Sequence, residues 1–129
     1  MELLIPVSPG ELLDKLTILE IKLDRIGDAA KLANVRREHD RLISVWENAG
    51  IDSAEVSDLR KSLREANEAL WEIEDAIRDE ERHKRFGERF VALARSVYIR
   101  NDERAALKRR INELLGSDIL EEKSYSDYT

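Results

Sequence analysis

The sequence predicts an all-α protein: an antiparallel bundle of about five helices with one long central helix, a short N-terminal extended segment and an irregular C-terminal tail. Three observations predict it. Charged residues make up 39% of the chain and aromatics 5%, with only five glycines and two prolines, a composition of long solvated helices rather than sheets. Apolar residues recur at three- and four-residue intervals along most of the chain, the spacing of one helix face. Capping and breaking signals divide that pattern into segments. At 129 residues, the chain reads as one domain spanning residues 1–129.

The elements follow in order. "SPGE" opens the first helix, expected over about residues 9–26. Ser8 and Glu11 have the spacing of a capping box, and Pro9 sits at the first helical position, where its missing N–H costs nothing. Leu12, Leu16, Leu19, Leu23 and Ile26 make one stripe. Ile18 and Ile21 point elsewhere and require a second partner, so this helix is expected to lie between neighbours. Gly27 is the expected terminator and Asp28 the next N-cap. The second helix, about 29–48, carries Leu32, Val35, His39, Leu42 and Trp46 on one face. "NAGIDS" breaks the pattern, and "DSAE" resembles a further capping box. A long helix over about 53–84 follows, with Val56, Leu59, Leu63, Ala66, Leu70, Ile73 and Ile77 as its stripe. At ~1.5 Å per residue it overhangs its shorter predecessors, so something else must cover its far end. "FG" is expected to end it. A fourth helix is expected over about 88–99 and a fifth over about 102–115, the latter capped by Asn101 and ended by Gly116. The tail, residues 117–129, is acidic and aperiodic.

Charge is unevenly spread. Residues 1–83 hold 20 acids and 12 bases, whereas residues 84–110 hold nine bases and three acids. Pairing of the basic segment with the acidic long helix and tail explains this simply; an anion-binding surface is the sharper explanation. Nucleic-acid recognition calls for aromatics interleaved with the bases. The segment offers Phe86, Phe90 and Tyr98, with both phenylalanines expected in the core, so nucleic acid is disfavoured. The chain has no cysteine, hence no disulfide, thiolate metal site or cysteine nucleophile. No signal peptide and no apolar run of membrane length is visible. Cytoplasmic residence without membrane association is the expectation, and no cofactor or metal is implied.

Polar residues beside the apolar stripes are the candidates for chemistry. In the long helix, Asn67, Trp71, Glu74 and Arg78 line one edge at helical spacing, and Glu74 can pair with Arg78 along the helix. In the fifth helix, Arg104, Lys108 and Asn112 line another, with Asn101 at its head. The first helix contributes Lys15, Glu20 and Lys22. Convergence of these edges would make a polar groove for a small phosphate- or carboxylate-bearing ligand. Tyr125 is placed near it by a tail folding back after Gly116. The competing reading is that Lys and Arg stems ordinarily border apolar stripes with their heads in water.

Catalytic patterns are sparse. The two histidines, His39 and His83, form no metal pair, and no Gly-rich phosphate loop occurs. His39 falls in an apolar stripe and reads as a packing residue. Glu65/Glu68 and Glu72/Asp75 match the spacing of metal-dependent helical pyrophosphatases, but both pairs crowd one helix. A chorismate-mutase type of helical pocket would use cations such as Lys15, Arg104 and Lys108; their order fits no such pattern.

The segments "VSPGELLDKLTILEIK", "NEALWEIEDAIR", "ARSVYIRNDERAALKRRIN" and "EEKSYSDY" together resemble a bacterial family catalogued as a domain of unknown function, number 6165. The resemblance covers about Ile5 to Tyr128. It implies a small helical bacterial protein and no particular activity. It adds weight to the polar residues within those segments: Lys15, Thr17, Glu20 and Lys22; Asn67, Trp71, Glu74 and Asp75; Arg95, Tyr98, Asn101, Asp102, Arg104, Lys108 and Asn112; then Lys123, Tyr125 and Tyr128. The expected function is a homodimeric binding or interaction module with a groove for a small anion or a protein partner. The alternatives are a small helical enzyme with a Lys/Arg/Glu pocket and, more remotely, a basic-face nucleic-acid binder.

Overall fold

The computed structural model describes residues 1–129 and contains four helices and no strand. These are α1 (Pro9–Arg25), α2 (Ala29–Asn48), α3 (Ala54–Arg82) and α4 (Glu88–Leu114). The all-α expectation holds; the five-helix count does not. The fourth and fifth expected helices form the single helix α4, which runs through Asn101. Asn is only a weak helix former, costing well under 1 kcal/mol against Ala. No Pro or Gly stands between Glu88 and Leu114 to break the ladder. An Arg100–Glu103 ion pair at 3.0 Å bridges the expected junction.

Most helix ends form where their residues predict. The Ser8 hydroxyl accepts the Glu11 amide at 3.2 Å, Asp28 accepts that of Lys31 at 3.0 Å, and Ser53 accepts that of Val56 at 3.2 Å. The last of these makes Ser53, not Asp52, the cap. α1 ends because Ile26 turns extended, with Gly27 playing no left-handed part. Gly116, at φ 62°, closes α4 in a Schellman motif: the Ser117 amide donates to the Asn112 carbonyl at 2.9 Å. The same motif joins α3 to α4, but there the left-handed position is held by Lys84, at φ 55°. The Arg85 amide donates to the Glu80 carbonyl at 2.9 Å. Gly87 instead precedes α4, in extended conformation and without a side-chain cap.

α3, with 29 residues, is the longest helix, but it is not the hub. α1 is the one helix that packs against all three others; α3 and α4 form an antiparallel hairpin, and α2 rests on α1 alone. The core follows from this arrangement. Leu12, Leu13 and Leu16 of α1 meet Val56 and Leu63 of α3 and Ile111 of α4, with Leu42, Ile43 and Trp46 of α2 packed against them. Burying a Leu or Ile side chain contributes ~1.5–3 kcal/mol, so this six-residue cluster dominates stability. Ile21 is buried as well, and Ile18 half-buried, as the two-sided first helix requires. No helix is long and apolar enough to cross a membrane.

Candidate functional site

The most concentrated polar chemistry lies where the start of α1 meets the C-terminal third of α4. Gly10 makes the approach possible. Its amide donates to Asn112 Oδ1 at 2.7 Å, and a Cβ there would stand 2.5 Å from the Lys108 carbonyl oxygen. The two backbones therefore come closer than any side chain allows. That contact brings Glu11 and Asp14 of α1 against Lys108. The Lys108 ammonium lies 2.7 Å from Glu11 Oε2, 3.4 Å from Asp14 Oδ2 and 3.7 Å from Glu121 Oε2 of the tail. Asp14, only 3% exposed, also accepts a hydrogen bond from Asn67 Nδ2 at 2.9 Å. Asn67 donates a second one to Thr17 Oγ1 at 3.0 Å, and the Thr17 hydroxyl donates to the Asp14 carbonyl at 2.9 Å. No buried side-chain polar atom lacks a partner, as buried polar networks require.

Electrostatics agree with the geometry. Burial pulls the Lys108 ammonium down, but its hydrogen bond to Glu11 and the charges of Asp14, Glu11 and Glu121 outweigh that, so its pKa lies above the ordinary lysine value. Hydrogen bonding to Lys123 and the charge of Lys108 hold the Glu121 carboxyl below the ordinary glutamate value.

Beside this cluster runs a groove between α4 and the tail. Arg104, Lys108 and Asn101 line it from the helix, and Lys123, Tyr125 and Asp127 from the tail. The tail is tied down at three points: Glu121 to Lys108, Glu122 to Arg109 at 3.1 Å, and Tyr128 to Asp102 at 2.7 Å. The Tyr128 ring also meets that of Tyr98 edge-on, centroids 5.0 Å apart. Arg104 is the cation of the groove that makes an ion pair but no hydrogen bond. Its Nε lies 3.7 Å from Asp14 Oδ1, too long for a hydrogen bond, and its guanidinium makes no hydrogen bond to any protein group.

Of the residues singled out from sequence, Arg104, Lys108, Asn101 and Tyr125 line this groove, as do Tyr98, Asp102, Lys123 and Tyr128 from the segments that carry the resemblance. Asn112 binds Gly10 behind Lys108, and Asn67 is buried on Asp14. The others do not join them. Lys15 is exposed and Lys22 half-buried, and neither forms an ion pair because the α1 face toward α4 is that of Glu11 and Asp14. Glu20 instead pairs with Arg60 at 2.6 Å and Arg64 at 3.1 Å. Glu74 pairs with Arg78 along α3, and Trp71 is half-buried outside the groove lining. Asn101 caps nothing: it lies inside α4, which begins at Glu88. The basic segment is largely neutralised, with Arg85 and Arg89 on Glu80 and Arg110 on Glu55. Sequence reasoning missed Asp14 and Glu11 as partners of Lys108. Asp14 stands between core residues Leu13 and Leu16, and a carboxylate on an apolar face signals a buried cation opposite.

These features define a small all-helical protein built around a polar clamp, with a tail-walled groove beside it. The chain belongs to a family of unknown function (DUF6165), whose model matches residues 3–128. No curated protein and no solved structure matches it.

Proposed function

We propose that the protein is a homodimeric binding module that takes a small phosphate- or carboxylate-bearing ligand, or such a group on a protein partner, in the groove between α4 and the tail. The observation that carries this reading is Arg104, a guanidinium held 3.7 Å from Asp14 with no hydrogen bond to any of its donors, in the lining of a groove that Lys108 and Lys123 also line. A guanidinium presents a planar fork of donors that matches carboxylate and phosphate oxygens. Glu121 supports the same reading. It is the one acid on Lys108 that comes from the tail rather than from α1, so it models how an incoming anion meets that lysine.

The enzyme alternative draws on the same lining, which places Asp102 and Asp127 beside the cations. Binding is favoured over catalysis because both carboxylates are already engaged. Asp102 accepts the Tyr128 hydroxyl, and Asp127 accepts the Thr129 hydroxyl and amide, which hold its pKa below the ordinary aspartate value. A general acid or base needs the opposite tuning, toward neutrality.

Calorimetric titration with inorganic phosphate and with succinate tests the reading. Saturable binding is expected, and Arg104→Ala should abolish it while leaving the fold intact, since Lys108 and Asn67 still hold Asp14. Equal heats for the wild type and Arg104→Ala contradict it.

A further inference from the structure

Beyond the end of α1 the α3–α4 hairpin has no third layer. Arg25, the last residue of α1, bonds Glu72 at 3.2 Å, and there the cover stops. From that point to the hairpin turn, no apolar residue of either helix is buried: Leu70 is the last on α3, and none precedes Ile111 on α4. Val91 stays 52% and Ile99 46% exposed. Two helices alone cannot remove such side chains from water, and the resulting free-energy deficit is met by packing against further helices. One face of the uncovered hairpin is a shallow groove of Ala69, Ile73 and Ala76 against Leu93 and Ser96, with Glu72 and Arg100 also lining it.

We propose that this uncovered hairpin face is a docking surface for the same face of a second copy of the chain, two hairpins closing into a four-helix bundle. The proposal rests on the homodimer in the reading above and names its surface. Charge argues for a second copy rather than an unrelated partner. The distal part of α3, residues 71–82, holds six acids and two bases, while residues 84–101, running antiparallel beside it, hold five bases and one acid. Pairs within the chain, such as Arg85 and Arg89 on Glu80, engage most of these groups, but the two helices still set a net acidic stripe beside a net basic one. A two-fold axis through the groove places the acidic helix of each protomer over the basic helix of the other. The surface is therefore complementary to itself, as an isologous interface must be. Asp75 and Arg95, exposed on those two helices and outside the lining of the groove, are charges of these segments left without an intrachain ion pair.

Sedimentation and cross-linking test this on the full chain. The wild type should sediment at micromolar concentration with twice the 14.9 kDa chain mass. Ala76→Glu should return the single-chain mass with unchanged far-ultraviolet circular dichroism. Should that variant unfold, exposed Arg100→Glu asks the same question and should weaken the dimer about tenfold or more by setting acid against acid. The chain lacks cysteine, so Ser96→Cys, near the middle of the groove, should cross-link through a short bis-maleimide, whereas Ser62→Cys on the proximal part of α3 should not. A monomeric wild type overturns both the homodimer and its surface. A dimer that survives Ala76→Glu and Arg100→Glu, or that cross-links at Ser62→Cys and not at Ser96→Cys, overturns the surface while leaving the homodimer standing.

Discussion

Glu11 and Lys108 are 97 positions apart in the chain, yet the Glu11 carboxylate accepts the Lys108 ammonium at 2.7 Å. This contact, with Asp14 beneath it, ties the first helical turn of the protein to the last two turns of α4. It also explains why the Ser8–Glu11 capping box is half used. Ser8 caps the Glu11 amide, but the Glu11 side chain reaches across to Lys108 instead of back to the Ser8 amide.

Removing Lys108 should therefore cost stability as well as any binding. Lys108→Met takes the nearer of two cations from the buried Asp14 carboxylate, leaving Arg104 at 3.7 Å, a loss of up to about 3 kcal/mol. Adding Asp14→Asn should recover a large part of it, because the pair then loses both charges. Urea denaturation of the single and double variants measures the coupling. Strictly additive losses would show that the clamp is not a unit.

Gly10→Ala tests the close approach of α1 and α4. The new methyl meets the Lys108 carbonyl at 2.5 Å and Asn112 Oδ1 at 2.8 Å, so the helices must part or the Gly10–Asn112 hydrogen bond must break. The expected loss is about 2–3 kcal/mol. An unchanged melting temperature would mean that the two helices slide freely.

Lys84→Gly should do the opposite. Lys84 occupies the left-handed position of the α3–α4 turn at φ 55°, where a side chain costs about 1 kcal/mol that glycine avoids. The Arg85 and Arg89 guanidinium groups on buried Glu80 hold this turn in spite of that cost. A rise in the denaturation midpoint by the equivalent of ~0.5–1 kcal/mol is expected; a fall would assign the Lys84 side chain a contact that outweighs backbone strain.

What the sequence discloses, and what it hides, divides along physical lines. Ser8, Asp28 and Ser53 announce helix starts because capping is a local event between neighbours in the chain. The stripe through Leu12, Leu16 and Leu63 discloses the core for the same reason. Asn101 misleads: a good cap is only a mediocre helix residue, and α4 runs through it because its flanking turns pack on α3. Lys84 is invisible as a helix terminator because Gly87, three residues on, carries the stronger local signal. The groove was half legible. Arg104, Lys108 and Tyr125 stand out as polar residues at the edge of a helix or in the tail. Which acids meet them depends on the crossing of α1 over α4, a long-range contact set by Gly10 that no periodicity records.

The tail should respond to pH at both ends of the scale. Glu121 has a lowered carboxyl pKa, so its contribution is fully present above the ordinary glutamate value of about 4.3 and is lost as pH falls through the lower folded value. Tyr128 is raised, chiefly by donating to Asp102. Its contribution is present below the ordinary tyrosine value of about 10 and is lost as pH rises through the higher folded value. Limited proteolysis should thus cut after Lys123 faster at the acid end than at neutral pH. Asp102→Ala should return the Tyr128 ionisation toward its ordinary range in an absorbance titration. A tyrosine titration indifferent to Asp102→Ala would detach the tail from α4.

His39 offers a negative control away from the groove. It is half-buried on α2, its Nδ1 3.9 Å from Asp40 Oδ1 and outside the groove lining, so His39→Leu should keep or raise the melting temperature and leave anion binding unchanged. Loss of binding in a folded His39→Leu protein would relocate the site.

The binding groove itself is tested most directly by amide chemical-shift mapping of the full-length protein during titration with inorganic phosphate. Saturable shifts are predicted for Arg104, Lys108 and the tail from Glu121 to Tyr128, with Arg60, Arg64 and the α3–α4 turn unmoved. Glu121→Gln should tighten the response, because the anion no longer competes with a resident carboxylate for Lys108. Shifts that never saturate, or that spread evenly over all the surface lysines and arginines, would contradict the groove as a binding site.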